Sequence, residues 1–199
     1  MSFVLGITGG IASGKSTVVK IFAERQFPIV DGDLIARKVV EPKTPGLAAL
    51  IDTFGQTILQ ADGRLDRKKL GDLVFHDEQK RQQLNHVLDP FIRKEITQQT
   101  MAAKSLSNLV IVDIPLLYEG RYEELMDAVA VVYVTPEYQL ERLMKRNSLS
   151  QSDAQKRIDS QMSLEMKKKK AEIIFDNCGS LEYLRKQVID WLIKNQFVS

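Results

Sequence analysis

The chain has few of the residues that would mark a secreted, membrane-spanning or zinc-binding protein. Its one cysteine, Cys178, cannot form an internal disulfide, which favours a reducing compartment. Its two histidines, His76 and His86, are isolated and lack the spacing of metal ligands. The first residues carry no basic region followed by a long apolar stretch, and no apolar run approaches the length that crosses a bilayer. These absences predict a cytoplasmic protein without a membrane partner.

The net charge of the chain is also small. The 28 Lys and Arg residues and 26 Asp and Glu residues leave a net charge of +2, which argues against a broad nucleic-acid-binding surface. A chain of 199 residues can form one α/β domain with room for an insertion or a lid. We therefore expect small-molecule substrates and no nucleic acid, whereas composition predicts no particular oligomeric state.

What the chain does contain is a phosphate-binding loop at residues 9–17, Gly-Gly-Ile-Ala-Ser-Gly-Lys-Ser-Thr. Gly9, Gly14, Lys15 and Ser16 match the pattern G-x-x-x-x-G-K-[ST]. The loop N–H groups and the next helix N-terminus would converge on phosphate, Lys15 would reach the β- and γ-phosphates, and the Ser16 hydroxyl would bind Mg²⁺. An ordinary glycine-rich turn would leave the Lys-Ser pair unexplained. The residues predicted to bind ATP here are Gly10, Ile11, Ala12, Ser13, Gly14, Lys15, Ser16 and Thr17.

Five short apolar runs predict buried strands. They occupy residues 3–8, 28–31, 109–114, 128–134 and 173–175. The runs do not alternate strictly and are separated by helical segments, which is typical of a parallel sheet covered on both faces. The phosphate loop falls between the first run and a helical segment at residues 16–25. This context predicts an α/β fold of the P-loop NTPase type.

The segment between the second and third predicted strands is too long for a simple crossover. Its helical patterns cover residues 35–40, 46–54, 67–75 and 78 to about 104. We therefore predict a helical substrate-binding insertion at about residues 34–108. The rest of the single domain is predicted to be a core of about residues 1–33, 109–147 and 172–199.

Carboxylates follow two of the predicted strands. Ligands of open parallel sheets bind at the C-terminal strand ends, so Asp31, Asp33 and Asp113 are expected beside the phosphate loop. Asp33 is interpreted either as the base that takes the proton of an acceptor hydroxyl or as the N-cap of the next helix. Asp113 is interpreted either as a carboxylate that orders the waters of Mg²⁺ or as an Asp that bonds to the following turn.

Basic residues follow the fourth predicted strand. Arg142 and Arg146 are four residues apart and project from a common side of a helix, where two guanidinium groups suit a polyphosphate. The polar region at about residues 147–161 is interpreted as a lid that closes these arginines over ATP, although arginines on a helix commonly form a solvated face. The run of lysines at 167–170 is interpreted as a solvated helix surface, with steering of a polyanionic substrate as the alternative.

With these motifs in place, the chain resembles the dephospho-CoA kinase family from end to end. The segments that carry the resemblance are Gly-Ile-Thr-Gly-Gly-Ile-Ala-Ser-Gly-Lys-Ser-Thr at 6–17, Val-Asp-Gly-Asp at 30–33, Asp-Ile-Pro-Leu-Leu at 113–117, Gln-Leu-Glu-Arg-Leu-Met-Lys-Arg at 139–146 and Asp-Asn-Cys-Gly at 176–179. The resemblance implies transfer of the ATP γ-phosphate to the ribose 3′-hydroxyl of dephospho-CoA with Mg²⁺. It also implies five parallel strands in the order 2-3-1-4-5.

The resemblance implies roles for individual residues as well. Lys15 corresponds to the phosphate lysine, Asp33 to the proposed base, and Arg142 and Arg146 to arginines of the lid. A final pair, Asn177 and Gly179, falls where the family's loop approaches the adenine of ATP.

The chain departs from the family pattern at three positions. Ala12 stands where glycine is common, Gly32 where alanine is usual, and Asp89 where histidine is common. Competing interpretations are another small-molecule kinase, such as a nucleotide or shikimate kinase, and a regulator that binds ATP without catalysis. The retained Lys15 and Asp33 disfavour the regulator, and the absence of an Asn-Lys-x-Asp segment disfavours a GTPase.

Overall fold

The computed structural model describes residues 2–75 and 77–198, so His76 lies outside the described residues. Five parallel strands form one sheet in the order β2-β3-β1-β4-β5. The strands are β1 (Phe3–Gly9), β2 (Ile29–Asp31), β3 (Leu109–Asp113), β4 (Ala128–Tyr133) and β5 (Ile173–Asp176). The predicted parallel sheet and the strand order implied by the resemblance are confirmed.

Helices connect these strands. The helices are α1 (Lys15–Glu24), α2 (Gly32–Lys38), α3 (Pro45–Phe54), α4 (Arg67–Phe75), α5 (Glu78–Lys104), α6 (Pro136–Asn147), α7 (Gln151–Asp159), α8 (Leu164–Lys170) and α9 (Leu181–Lys194). Among the described residues, none of the helices is both long enough and apolar enough to cross a bilayer. The chain divides into two compact units, Met1–Asp31 with Thr100–Ser199, and Gly32–Gln99.

The first unit is built on the sheet. β1 and β3 are almost wholly buried, because their apolar side chains face helices on both sides. Phe22 of α1 and Trp191 of α9 pack edge to face within one core cluster, with ring centroids 6.2 Å apart. Leu164 of α8 belongs to a second cluster with Val131 and Val134. The sheet is therefore held firmly, and its strand ends can position side chains accurately.

Side-chain caps set the helix starts in the first unit. The Thr135 hydroxyl accepts a hydrogen bond from Tyr138 N at the start of α6, and Ser150 caps α7 in the same way. Ser148, with a φ of 52°, ends α6 in the left-handed conformation. Ser163 caps α8. The polar stretch after α6 is thus divided into short helices at serine residues.

The second unit has its own small core. Its buried apolar residues are Val40, Leu47, Leu50, Ile58, Leu65 and Leu70. Thr44 caps α3, and Pro45 occupies the first turn, where a missing N–H costs nothing. The 27-residue helix α5 contains Pro90, yet its bounds agree with the predicted 78 to about 104.

Candidate active site

The phosphate loop joins the end of β1 to the start of α1. Gly14, just before α1, has a φ of +92°, a backbone conformation that is unfavourable for residues other than glycine. Ala12 is also in the left-handed region, with a φ of 61°. Ser16 is exposed in the first turn of α1. The N-terminus of α1 and its exposed hydroxyl are therefore available to an anion and its cation.

Two glutamines hold the main chain of this loop at Ile11. The Nε2 atom of Gln139, in α6, donates to Ile11 O across 2.9 Å. The N–H of Ile11 donates to Oε1 of Gln161 across 2.9 Å. Gln139 is only 4% exposed, and a Cβ at Gly10 would lie 2.5 Å from its Nε2. Both glutamines therefore support the loop, and the sequence interpretation gave neither of them a role.

Asn177 supports the other end of the loop. Its Nδ2 donates to Ser13 O across 2.8 Å, and its own main-chain oxygen accepts a 3.0 Å hydrogen bond from Nη2 of Arg142. The residue follows β5 directly, so the strand end places it at the loop. The structure thus brings Asn177 to the phosphate loop, whereas Gly179 is exposed two residues further on, just before α9.

Lys15 and Asp113 form an ion pair at the carboxyl ends of the central strands. Asp113 is 8% exposed and ends β3, where it lies in register with Ile7 of β1 and with Asp31 of β2. Two carboxylates therefore stand on neighbouring strand ends, and one of them holds the loop lysine. This matches the expectation that Asp113 lies beside the phosphate loop.

The two arginines of α6 are placed differently from one another. Arg142 is partly buried, lies over the ring of Tyr138 with its Cζ 5.8 Å from the centroid, and bonds to Asn177. Arg146 is exposed, and its Nε donates to Oδ1 of the adjacent Asn147. The structure therefore links Arg142 to the loop through Asn177, while Arg146 contacts its neighbour in the chain.

Asp33 lies in the first turn of α2, in the second compact unit, and is exposed. The helix begins at Gly32, three residues before the predicted start at Ile35. Asp33 is therefore inside the helix, where its charge is favourable near the N-terminus, and the N-cap interpretation of this residue is wrong.

The structure corrects the interpretation of the lysine run in α8 as a solvated surface. Lys169 and Lys170 are exposed, as a solvated helix surface requires. Lys167 is fully buried, and its Nζ donates to Pro115 O across 2.8 Å and to Oε1 of Glu119 across 3.0 Å. A solvated surface is therefore the wrong interpretation for Lys167. A charge run gives no signal for which of its members turns inward.

Comparisons with known proteins agree with this geometry. A family model described as dephospho-CoA kinase matches residues 3–182. A dephospho-CoA kinase from Enterococcus faecalis is 57% identical over 192 residues, which is 96% of each chain. The crystal structure of TT1252 from Thermus thermophilus superposes with a TM-score of 0.81 at 31% identity, covering 98% of this chain and 97% of the other.

A second solved structure, dephospho-CoA kinase from Campylobacter jejuni, superposes with a TM-score of 0.75 at 32% identity. It covers 99% of this chain and 98% of that one. The family model matches nine-tenths of the chain, and the similarities to these relatives extend over almost its full length. This chain belongs to the dephospho-CoA kinase family.

Proposed function

We propose that this chain transfers the γ-phosphoryl group of ATP to the ribose 3′-hydroxyl of dephospho-CoA, giving coenzyme A and ADP. The observation that carries the proposal is the phosphate loop with Lys15 paired to Asp113, in a chain whose relatives named dephospho-CoA kinase match it over its full length. Both substrates are small molecules, and the proposal includes neither a nucleic acid nor a membrane. A cytoplasmic location is also part of the proposal.

The phosphates of ATP would bind along residues 10–17. The loop N–H groups and the N-terminus of α1 provide donors, and Lys15 would exchange its Asp113 partner for the β- and γ-phosphates. Because Lys15 is already held at this strand end, it needs little rearrangement to meet the anion. Its charge would then offset the negative charge that shifts during transfer.

The oxygen donors at this edge fit Mg²⁺. The Ser16 hydroxyl is exposed at the start of α1, and the carboxylates of Asp31 and Asp113 are neighbours in the sheet register. Mg²⁺ prefers oxygen ligands, keeps several waters and is usually held by one or two carboxylates plus phosphates. Ser16 would bind the ion with ATP, and Asp113 would order its waters. The ion would supply charge neutralisation at the transferring phosphoryl group.

Asp33 would act on the acceptor. Asp33 is exposed in the first turn of α2, so its carboxylate is accessible to an acceptor and would accept the proton of the 3′-hydroxyl or hold that hydroxyl for attack. The predicted insertion at about residues 34–108 would bind the acceptor. The pantetheine end of dephospho-CoA is far from the reacting hydroxyl, and its binding to the insertion would help to orient the ribose.

Arg142 and Arg146 would contact the ATP phosphates when the predicted lid, residues 147–161, closes. The lid segment contains α7, which Ser150 caps, and its last residue is Gln161, which holds the loop at Ile11. Asn177 and Gly179 would line the adenine end of the site. Exclusion of water by such closure would favour transfer to the acceptor over hydrolysis.

A panel of acceptors tests the proposal. Dephospho-CoA, adenosine, AMP and shikimate are each supplied with matched ATP and Mg²⁺, and kcat/KM is measured for each. We expect dephospho-CoA to have by far the highest value, and mass spectrometry of its product to show one added phosphate. Utilisation of that product by a CoA-dependent enzyme locates the phosphate on the 3′-hydroxyl. A better result with AMP or shikimate would refute the acceptor and leave only the kinase class.

A further inference from the structure

Lys167 is a buried charge that the proposed reaction does not yet use. Of the four consecutive lysines in α8 it is the one that is fully buried, with 0% of its surface exposed. A buried ammonium is costly unless it is paired and hydrogen-bonded, and this one has both a carbonyl and a carboxylate as acceptors. Its acceptors lie in the segment that follows β3, directly after Asp113.

The carbonyl acceptor lies where β1 and β3 end. Pro115 O accepts hydrogen bonds from Lys167 Nζ across 2.8 Å and from Thr8 Oγ1 across 2.9 Å. Thr8 is the residue before Gly9, where the phosphate loop begins, and Pro115 is two residues after Asp113. One ammonium therefore helps to fix the strand ends that carry the loop and the partner of Lys15.

The carboxylate acceptor connects Lys167 to Ile11, within the loop. Oε1 of Glu119 accepts from Lys167 Nζ and also from the N–H of Met162 across 2.9 Å. Met162 adjoins Gln161, whose Oε1 accepts from Ile11 N in the phosphate loop. Lys167 is thus connected through Glu119 and residues 161–162 back to the loop itself.

Charge adds a second argument. Burial lowers the pKa of Lys167, the Glu119 carboxylate opposes that effect, and the nearby charge of Lys15 lowers the pKa further. The charge of Lys167 therefore acts on Lys15, the lysine proposed to meet the phosphates, while each ammonium group has a carboxylate partner of its own. A buried ion pair by itself contributes little net stability, because desolvation offsets its attraction.

We propose that Lys167 is a positioning residue for ATP, acting through Pro115 on Thr8, just before the phosphate loop, and through Glu119 on Ile11 within it. The role rests on the ATP-binding half of the proposed function and does not depend on the identity of the acceptor. Lys167 itself contacts Pro115 and Glu119, and its effect on the reaction passes through the loop and Lys15.

The test separates positioning from stability with three variants. Lys167→Met leaves the Glu119 carboxylate without its cation and should lower Tm. Adding Glu119→Gln removes that unpaired charge and keeps an oxygen for Met162 N, so Tm should recover towards wild type. Lys169→Met, from the exposed part of the same run, is the control and should match wild type.

Activity should not follow Tm. In both Lys167 variants we expect kcat to fall and the calorimetric Kd for Mg-ATP to rise, each by about tenfold. Side chains that position the residues of a binding site typically have effects of this size. Recovery of kcat and Kd together with Tm in the double variant would show a purely structural role. If wild type binds Mg-ATP but does not phosphorylate dephospho-CoA, the acceptor assignment fails, and the Kd comparison still decides the role of Lys167.

Discussion

Asn177 closes directly over Gly14. The Nδ2 atom of Asn177 donates to Ser13 O across 2.8 Å, and a Cβ built at Gly14 would lie 2.1 Å from that nitrogen. Gly14 also has a φ of +92°. The position therefore requires glycine both for its backbone conformation and for the approach of the amide, and the amide in turn fixes the loop immediately before Lys15.

Gly14→Ala should consequently destabilise the protein and weaken ATP binding. The left-handed backbone alone should cost about 1–3 kcal/mol of unfolding free energy, and the overlap with Asn177 should add to it. Denaturant unfolding and calorimetry with Mg-ATP provide the measurements. Asn177→Ala in the same chain should remove the overlap and leave the backbone cost. A Gly14→Ala protein as stable as wild type would contradict the geometry. Gly63→Ala is a matched control, since Gly63 has a φ of +81° but nothing within 4 Å of its Cβ position.

Lys15→Ala should nearly abolish transfer by a folded protein. An ammonium aimed at the β- and γ-phosphates typically contributes about 10²–10³-fold in rate. Loss of Lys15 also leaves Asp113 without this partner, so a moderate loss of stability should accompany the loss of turnover. The rate is measured at saturating ATP and the folded state by circular dichroism. Lys20→Ala, an exposed lysine of the same helix, should behave as wild type. Near-normal turnover by Lys15→Ala would place this lysine outside the site.

Asp33→Asn should separate catalysis from stability. Since Asp33 is exposed within the first turn of α2, the amide should change Tm little. Removal of the carboxylate that takes the hydroxyl proton should lower kcat by about 10²-fold or more. Asp52→Asn, at an exposed position of α3, controls for the loss of a surface charge. A loss of stability in step with activity would favour a structural role for Asp33.

The elements of the fold followed from local sequence patterns. β1, β3 and β4 have continuous apolar runs because they are buried on both faces, and the predicted run at 109–114 agrees with β3 at Leu109–Asp113 to within one residue. The phosphate loop was also local, because its glycines, Lys15 and Ser16 lie within a few residues of one another. Such features can be predicted without knowing which distant residues are in contact.

The supports of the loop could not be predicted in this way. Ile11 and Gln161 are 150 positions apart in the sequence, and no periodicity connects them. Lys167 stands in a run of identical residues, and only the packing of α8 against β4 decides which one is buried. Gln139 offered a weak signal, since it is a polar residue four positions before the buried Leu143 on one face of α6.

Gln139→Leu tests one of these supports. The leucine keeps the size of the side chain but leaves Ile11 O without the Nε2 donor, which should cost about 1–3 kcal/mol of stability. Because the loop loses a constraint, the Kd for Mg-ATP should rise as well. Unfolding and calorimetry measure the two effects, and Gln98→Leu, at an exposed position of α5, is the control. A variant with unchanged Kd would show that the loop does not depend on Gln139.

The two arginines of α6 have different contacts, so we expect their substitutions to have different effects on stability. Arg142→Ala removes a hydrogen bond to Asn177 and should slow transfer with a small loss of stability, whereas exposed Arg146→Ala should slow transfer at unchanged Tm. Arg146→Lys should rescue only partly, since an ammonium cannot reproduce the bidentate fork on phosphate. Hydrogen exchange across residues 147–161 should slow once ATP and dephospho-CoA are both bound. Unchanged exchange in that state would refute a closing lid, and wild-type turnover by Arg146→Ala would remove this residue from the site.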